Sequence, residues 1–182
     1  MNKFGDCKDF AIEALVENEL VPPSAPWGRL RIWVGGKSFG DFDDPHCGLY
    51  PAYSGFKGMI EKYDELYDPG LLELSTEKLY AKIDKALYGV WVGDELLDDE
   101  PREGDDEYWR HNFLTNWGEM FDRTEKSYIF KLPDDRLMVI QPIEGESSIK
   151  RYCCSTSGFK KAVKQFLVWH DKEEFRLSGK NV

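Results

Sequence analysis

Apolar and polar residues alternate twice near the start of the chain. Leu30, Ile32 and Val34 interleave with Arg31 and Trp33, the two-residue period of a half-buried strand, and Gly35-Gly36 supplies the positive φ of a two-residue hairpin turn. The pattern predicts a hairpin from Arg29 to Asp41, with Ile32 opposite Phe39 on the core face and Trp33 opposite Ser38 on the other. Phe10, Ile12, Ala14 and Val16 alternate in the same way and predict a strand over Asp9 to Glu17, although Ala, Glu and Leu would also suit a helix. Between the two, Val21 to Pro26 (VPPSAP) excludes a helix and reads as a stiff loop.

From Ser54 the period lengthens. Phe56, Met59, Ile60, Tyr63 and Leu66 recur at three- and four-residue steps, which predicts a helix capped by Ser54 and stopped by Asp68-Pro69-Gly70. A second helix starts at Ser75 or Thr76, with Leu79, Ile83, Ala86 and Leu87 on one face and Gly89 placed for a C-terminal cap. No hydrophobic period exists between Asp98 and Asp106. Trp109, Phe113, Trp117 and Phe121 then fall every fourth residue, as along one side of a helix whose acidic start suits the macrodipole; Thr115-Asn116 and Gly118 count against it. Tyr128 to Leu132 and Leu137 to Gln141 predict a second hairpin through Pro133-Asp134-Asp135-Arg136. Ile149 to Cys153 reads as a strand. Phe159, Ala162, Val163, Phe166, Leu167 and His170 mark an amphipathic helix capped by Ser157, its other face carrying Lys160, Lys161 and Lys164. With roughly five strands, three or four helices and no β-α-β rhythm, the expectation is an α+β fold. A mostly antiparallel sheet with hairpins packs against the helices in a single domain, residues 1–182.

Composition adds a partner class to this picture. The 182 residues, 41% hydrophobic and 14% aromatic, suffice for an ordinary core. Of the formal net charge of −10, the stretch from Asp94 to Glu107 supplies −8, from nine carboxylates and one arginine. Such a chain is a poor ligand for nucleic acid, which is held chiefly by Lys and Arg displacing counterions from phosphates, and for an anionic membrane surface. The absence of a signal-like h-region and of an apolar span leads us to expect a cytoplasmic protein. The counterpart of concentrated negative charge is something basic.

Motifs for catalysis are scarce. Gly36-Lys37-Ser38 resembles the tail of a phosphate-binding loop, but Arg31 stands where its first glycine belongs and a hairpin stands where strand should run into helix. Aligned on Gly104, the acidic stretch fails as a calcium loop, with Pro101 and Arg110 at ligand positions. His46, His111 and His170 are not at metal-ligand spacing from one another, and Cys7, Cys47, Cys153 and Cys154 form neither a zinc pattern nor a disulfide framework. His46-Cys47 is an adjacent base and nucleophile, though sequence neighbours point apart in most conformations. Cys153-Cys154 is the pair with redox potential. No cofactor or metal is expected, and no enzymatic activity; the enzymatic alternative is a site around His111, Glu107 and Glu119.

The candidate partner-binding residues are therefore Asp94, Glu95, Asp98, Asp99, Glu100, Glu103, Asp105, Asp106 and Glu107, with Trp109 as an aromatic anchor at the edge of the charge. Three blocks of sequence suggest what the partner is: Phe10 to Glu13 (FAIE), Trp27 to Asp41 (WGRLRIWVGGKSFGD) and Thr115 to Asp122 (TNWGEMFD). In them the chain resembles bacterial immunity proteins of polymorphic toxin and contact-dependent growth inhibition systems, in particular immunity protein family 42. The resemblance implies a small cytoplasmic antitoxin that binds and blocks one cognate toxin domain. Many such toxins are nucleases, basic because of their substrate, so an acidic surface can occupy the place meant for phosphate. An acidic nucleic-acid mimic directed at a DNA-binding protein would use the same physics.

Overall fold

A computed structural model describes residues 1–92, 95–98, 105–118, 121, 126–143 and 148–180. The chain opens with β1 (Asn2–Gly5) and β2 (Phe10–Val16), passes the proline-rich loop, and forms β3 (Trp27–Val34), β4 (Lys37–Phe39) and the short β5 (Cys47–Gly48). Then come α1 (Leu49–Glu61), a 3-10 turn at Tyr63–Leu66, α2 (Pro69–Leu72) and α3 (Thr76–Tyr88). A small antiparallel pair, β6 (Val90–Val92) and β7 (Glu95–Asp98), precedes a 3-10 helix at Asp105–His111 and β8 (Asn112–Phe113). The chain ends in β9 (Ser127–Lys131), β10 (Arg136–Pro142), β11 (Ile149–Ser155) and the long α4 (Thr156–Leu177).

The architecture is α+β, as the patterns predict. One antiparallel sheet runs in the order β1-β2-β3-β4, with β5 also on β3; a second runs β11-β10-β9-β8. The first hairpin has the predicted register, Ile32 against Phe39 and Trp33 against Ser38. The strand at Phe10–Val16 resolves its helix-or-strand ambiguity because its alternate residues Phe10, Ile12, Ala14 and Val16 all reach the core.

That core lies between the first sheet, α1, α4 and one face of the second sheet, which contributes Ile129, Leu137, Val139 and Cys154. Tyr128, Phe130, Met138 and Ile140 leave the other face of the second sheet and meet Leu71, Leu79 and Ile83 from α2 and α3. The second sheet is thus covered on both sides, which explains why Tyr128 to Phe130 and Leu137 to Ile140 are consecutive buried residues without a polar alternate.

Several expected boundaries move. α1 begins at Leu49 with Gly48 as its N-cap, not at Ser54, because Pro51 belongs in a first helical turn and Leu49 and Ala52 extend the buried face upstream. Asp68 does more than stop a helix: its carboxylate accepts the Leu71 N–H at 3.0 Å and starts α2. The cap of α4 is Ser155, whose Oγ accepts the Gly158 N–H at 3.0 Å while the Asp9 carboxylate takes both the N–H and the hydroxyl of Ser155. Ser157 therefore lies inside that helix. The predicted helix through Trp109, Phe113, Trp117 and Phe121 does not form. Leu114 and Asn116 have φ of 68° and 63°, which no right-handed helix accommodates, and the four aromatics fall on a 3-10 helix, a strand, a bend and a turn.

Candidate functional site

The acidic stretch divides in the structure. Asp94, Asp99, Glu100 and Glu103 lie outside the described residues, as does Glu119. Glu95 and Asp98 are the two ends of β7, facing Val92 and Val90 across the small ribbon, and Asp105 and Asp106 open the following 3-10 helix. Glu107, next in that helix, is exposed. The described part of the stretch thus runs along a short ribbon and one 3-10 helix next to α3.

Trp109 leaves this 3-10 helix with 44% of its surface exposed, unlike Phe113, Trp117 and Phe121, which are buried. One edge is held by Tyr88 of α3, at 5.7 Å between ring centroids and 71° between planes. The Tyr88 hydroxyl donates to Asn112 Oδ1 at 3.2 Å, and the Lys126 ammonium sits 3.9 Å over the Tyr88 ring. Arg110 pairs with Asp68 at 3.3 Å and ties the same helix to the start of α2. The indole is consequently supported on one edge by Tyr88 and open to solvent elsewhere.

Trp109 and Glu107 stand on the rim of a cleft of about 830 Å³, with α1 on the opposite side. Tyr50, Gly55, Gly58 and Lys62 line the helical wall, and Trp117 lines the base. The sequence pattern puts Trp109 at the edge of the charge but does not point to α1 as the facing wall. Tyr50, 58% exposed at the start of α1, belongs to that wall.

The histidines have structural roles or none with catalytic geometry. His111 is fully buried, its Nδ1–H donating to the Ile129 carbonyl at 2.9 Å and its Nε2 accepting from Arg110 Nε at 3.2 Å, with the ring stacked 4.6 Å from Phe130. Burial lowers its pKa to about 4. With both nitrogens engaged and Glu107 exposed to solvent, His111 does not assemble the general base of the enzymatic alternative. His46 is exposed beside Asp44 and Cys47 is buried, so the adjacent pair points apart. Cys153 and Cys154 alternate across β11 into the two different cores, and burial pushes the Cys154 thiol well above its ordinary pKa. Among the described residues, the group able to hold a metal ion is His170, Asp171 and Glu174 on α4. Also among them, no helix is long and apolar enough to cross a membrane.

The family model described as Immunity protein 42 matches residues 1–169. The fold is similar to the crystal structure of CdiI from Burkholderia dolosa AUO158, at a TM-score of 0.64 and 16% identity, over 92% of this chain and 99% of that one. A search of curated proteins returns no match.

Proposed function

The chain belongs to the Immunity protein 42 family, and from that premise we propose that it neutralises its cognate toxin by presenting the stretch Asp94 to Glu107, with Trp109 beside it, to a basic surface of the toxin. Toxin neutralisation is the role of the family; the surface and the chemistry of the partner are our reading. A family of immunity proteins also accords with a binding role and not a catalytic one.

The observation that carries the reading is the joining of charge to anchor. Eight of ten net negative charges sit in one stretch, and its last carboxylate, Glu107, lies two residues from an exposed indole on the rim of a cleft. Clustered carboxylates raise the encounter rate with a cationic protein by orders of magnitude, whereas a partly desolvated aromatic supplies residence time. A toxin that acts on nucleic acid must itself be basic, so its substrate-binding surface matches both features. In this reading the protein acts in the cytoplasm, where a delivered toxin domain meets its target, and it contacts neither nucleic acid nor membrane itself.

The test is co-expression with the cognate toxin domain, sought as the C-terminal domain of a large secreted or surface protein in the neighbouring reading frame. Wild-type protein is expected to restore growth and to co-purify with that domain at low salt. A toxin domain whose neutralisation is unaffected when all nine carboxylates between Asp94 and Glu107 are made neutral overturns the acidic-surface reading.

A further inference from the structure

His170 is the one buried residue among those described whose ring nitrogens lack any hydrogen-bond partner. It has 0% exposed surface, and leaving two polar atoms unpaired inside a protein is costly. Two aromatic rings pack against the imidazole. Tyr53 of α1 stacks on it at 4.4 Å and 26°, and Phe166 lies 6.2 Å away at 57°. Its nitrogens bond in the plane of the ring, so a partner must stand at its edge.

At that edge stand two carboxylates. A nitrogen of His170 and one oxygen each of Asp171 and Glu174 all lie within 4.8 Å of one another. His170 and Glu174 are four residues apart and share a helix face, while Asp171 is the next residue along α4. Around one tetrahedral ion with bonds of about 2.0–2.2 Å, donor atoms stand about 3.3–3.6 Å apart, a separation that rotation of the two exposed carboxylates can reach. Tyr53 also donates its hydroxyl to Asp171, the contact that raises the Tyr53 pKa, and so holds the carboxylate as an outer-shell partner holds a metal ligand. Of the three, Glu174 also borders a cavity of about 570 Å³, with Tyr50, Pro26 and Ser178.

We propose that His170, Asp171 and Glu174 form a binding site for a divalent transition-metal ion of the zinc class, with Tyr53 as the positioning residue. One imidazole nitrogen and two carboxylate oxygens form a mixed donor set that suits such ions; magnesium and calcium prefer sites of oxygen alone. Three protein ligands leave a position for water. Tyr50 links the site to the cleft, since it lines both cavities and stacks on Tyr53 at 6.1 Å and 26°. The proposal does not depend on the toxin-binding reading.

The experiment is calorimetric titration of the chelator-treated full chain with zinc chloride, repeated with cobalt(II) and followed by its visible absorption. One saturable site is expected, with magnesium binding far more weakly. Glu174→Gln and Asp171→Asn, both at exposed positions that leave folding intact, are each expected to weaken zinc at least tenfold, and Tyr53→Phe by roughly 10–100-fold while keeping the ring stack. His170→Phe should abolish binding. The absence of saturable zinc binding overturns the proposal, and so does zinc affinity unchanged in Glu174→Gln, the result if His46 or the thiols held the ion.

Discussion

Trp117 lies against Gly55 of α1 so closely that a Cβ built on Gly55 would stand 2.3 Å from the indole ring. The indole is fixed there by edge contacts with Phe56 at 4.9 Å and Phe113 at 5.7 Å, so it cannot withdraw without disturbing the main core. Gly55→Ala is expected to destabilise the protein by about 1–3 kcal/mol, the usual cost of overpacking, against the roughly 1 kcal/mol that alanine gains over glycine in a helix. Gly58, also within α1, has nothing within 4 Å of its virtual Cβ. Gly58→Ala should therefore stabilise by about 0.5–1 kcal/mol. Urea unfolding of the two variants, moving the midpoint in opposite directions, checks both.

The same pair marks the boundary between local pattern and tertiary packing. The hairpin at Arg29 to Asp41 was legible down to its register because a period of two, a Gly-Gly turn and one buried face leave a single solution. Trp117 was legible as aromatic at a four-residue spacing, but not as the residue that fills the gap opened by Gly55, sixty-two positions earlier, because that contact belongs to tertiary packing. Positive φ at Leu114 and Asn116 overrode the spacing. For the site, charge concentration named the acidic stretch and Trp109 from sequence. The cleft wall on α1 and the edge of His170 depend on α1 crossing α4 and the 3-10 helix, which no local pattern encodes.

Glu13 is the most deeply buried carboxylate of the first sheet, 5% exposed, and is satisfied by the strand beside it. It accepts from Arg31 Nε and from Trp33 Nε1 at 2.7 and 2.9 Å. Burial alone would raise its pKa; the Trp33 and Arg31 hydrogen bonds outweigh that and hold it below the ordinary value. Glu13→Ala should cost about 2–3 kcal/mol, the range for hydrogen bonds to a charged group, and less than breaking a wholly buried pair because Arg31 remains partly solvated. Denaturant titration of the variant at neutral pH measures it. Since the folded pKa is depressed, this stabilisation is present above the unfolded value and lost as the pH falls through the folded one.

His111 gives stability a second dependence on pH. Its pKa falls from 6.5 to about 4 on folding, chiefly through burial, so between those values the unfolded chain takes up a proton that the folded chain refuses. Its contribution is complete above about pH 6.5, declines as the pH is lowered, and levels off below about 4, for a total of up to about 3 kcal/mol. His170, also lowered by burial, acts in the same direction. Replacing His111 by Gln should flatten the fall in urea midpoint between pH 7 and pH 4.5 without removing it. A slope identical to that of the wild type would show that His111 does not carry this linkage.

Charge and anchor at the proposed interface should separate in kinetics. Replacing Asp98, Asp99, Asp105 and Asp106 by Asn and Ser removes four of the nine carboxylates and no apolar surface. Association with the toxin should slow at low salt and the difference should shrink as ionic strength rises, because exposed charges more than about 10 Å apart are screened at 0.1 M. Dissociation should change little. Trp109→Ala makes the opposite exchange: charge and long-range attraction are kept, while the supported indole is lost. Its effect should fall on the dissociation rate, weakening the complex by at least about 2 kcal/mol, roughly thirtyfold in Kd, with association nearly unchanged. Because Trp109 is 44% exposed, circular dichroism and the unfolding midpoint should remain near those of the wild type. Stopped-flow traces at several salt concentrations read both rates. An on-rate indifferent to both ionic strength and the four substitutions would place the toxin's basic surface elsewhere, and a dissociation rate indifferent to Trp109→Ala would remove the indole from the interface.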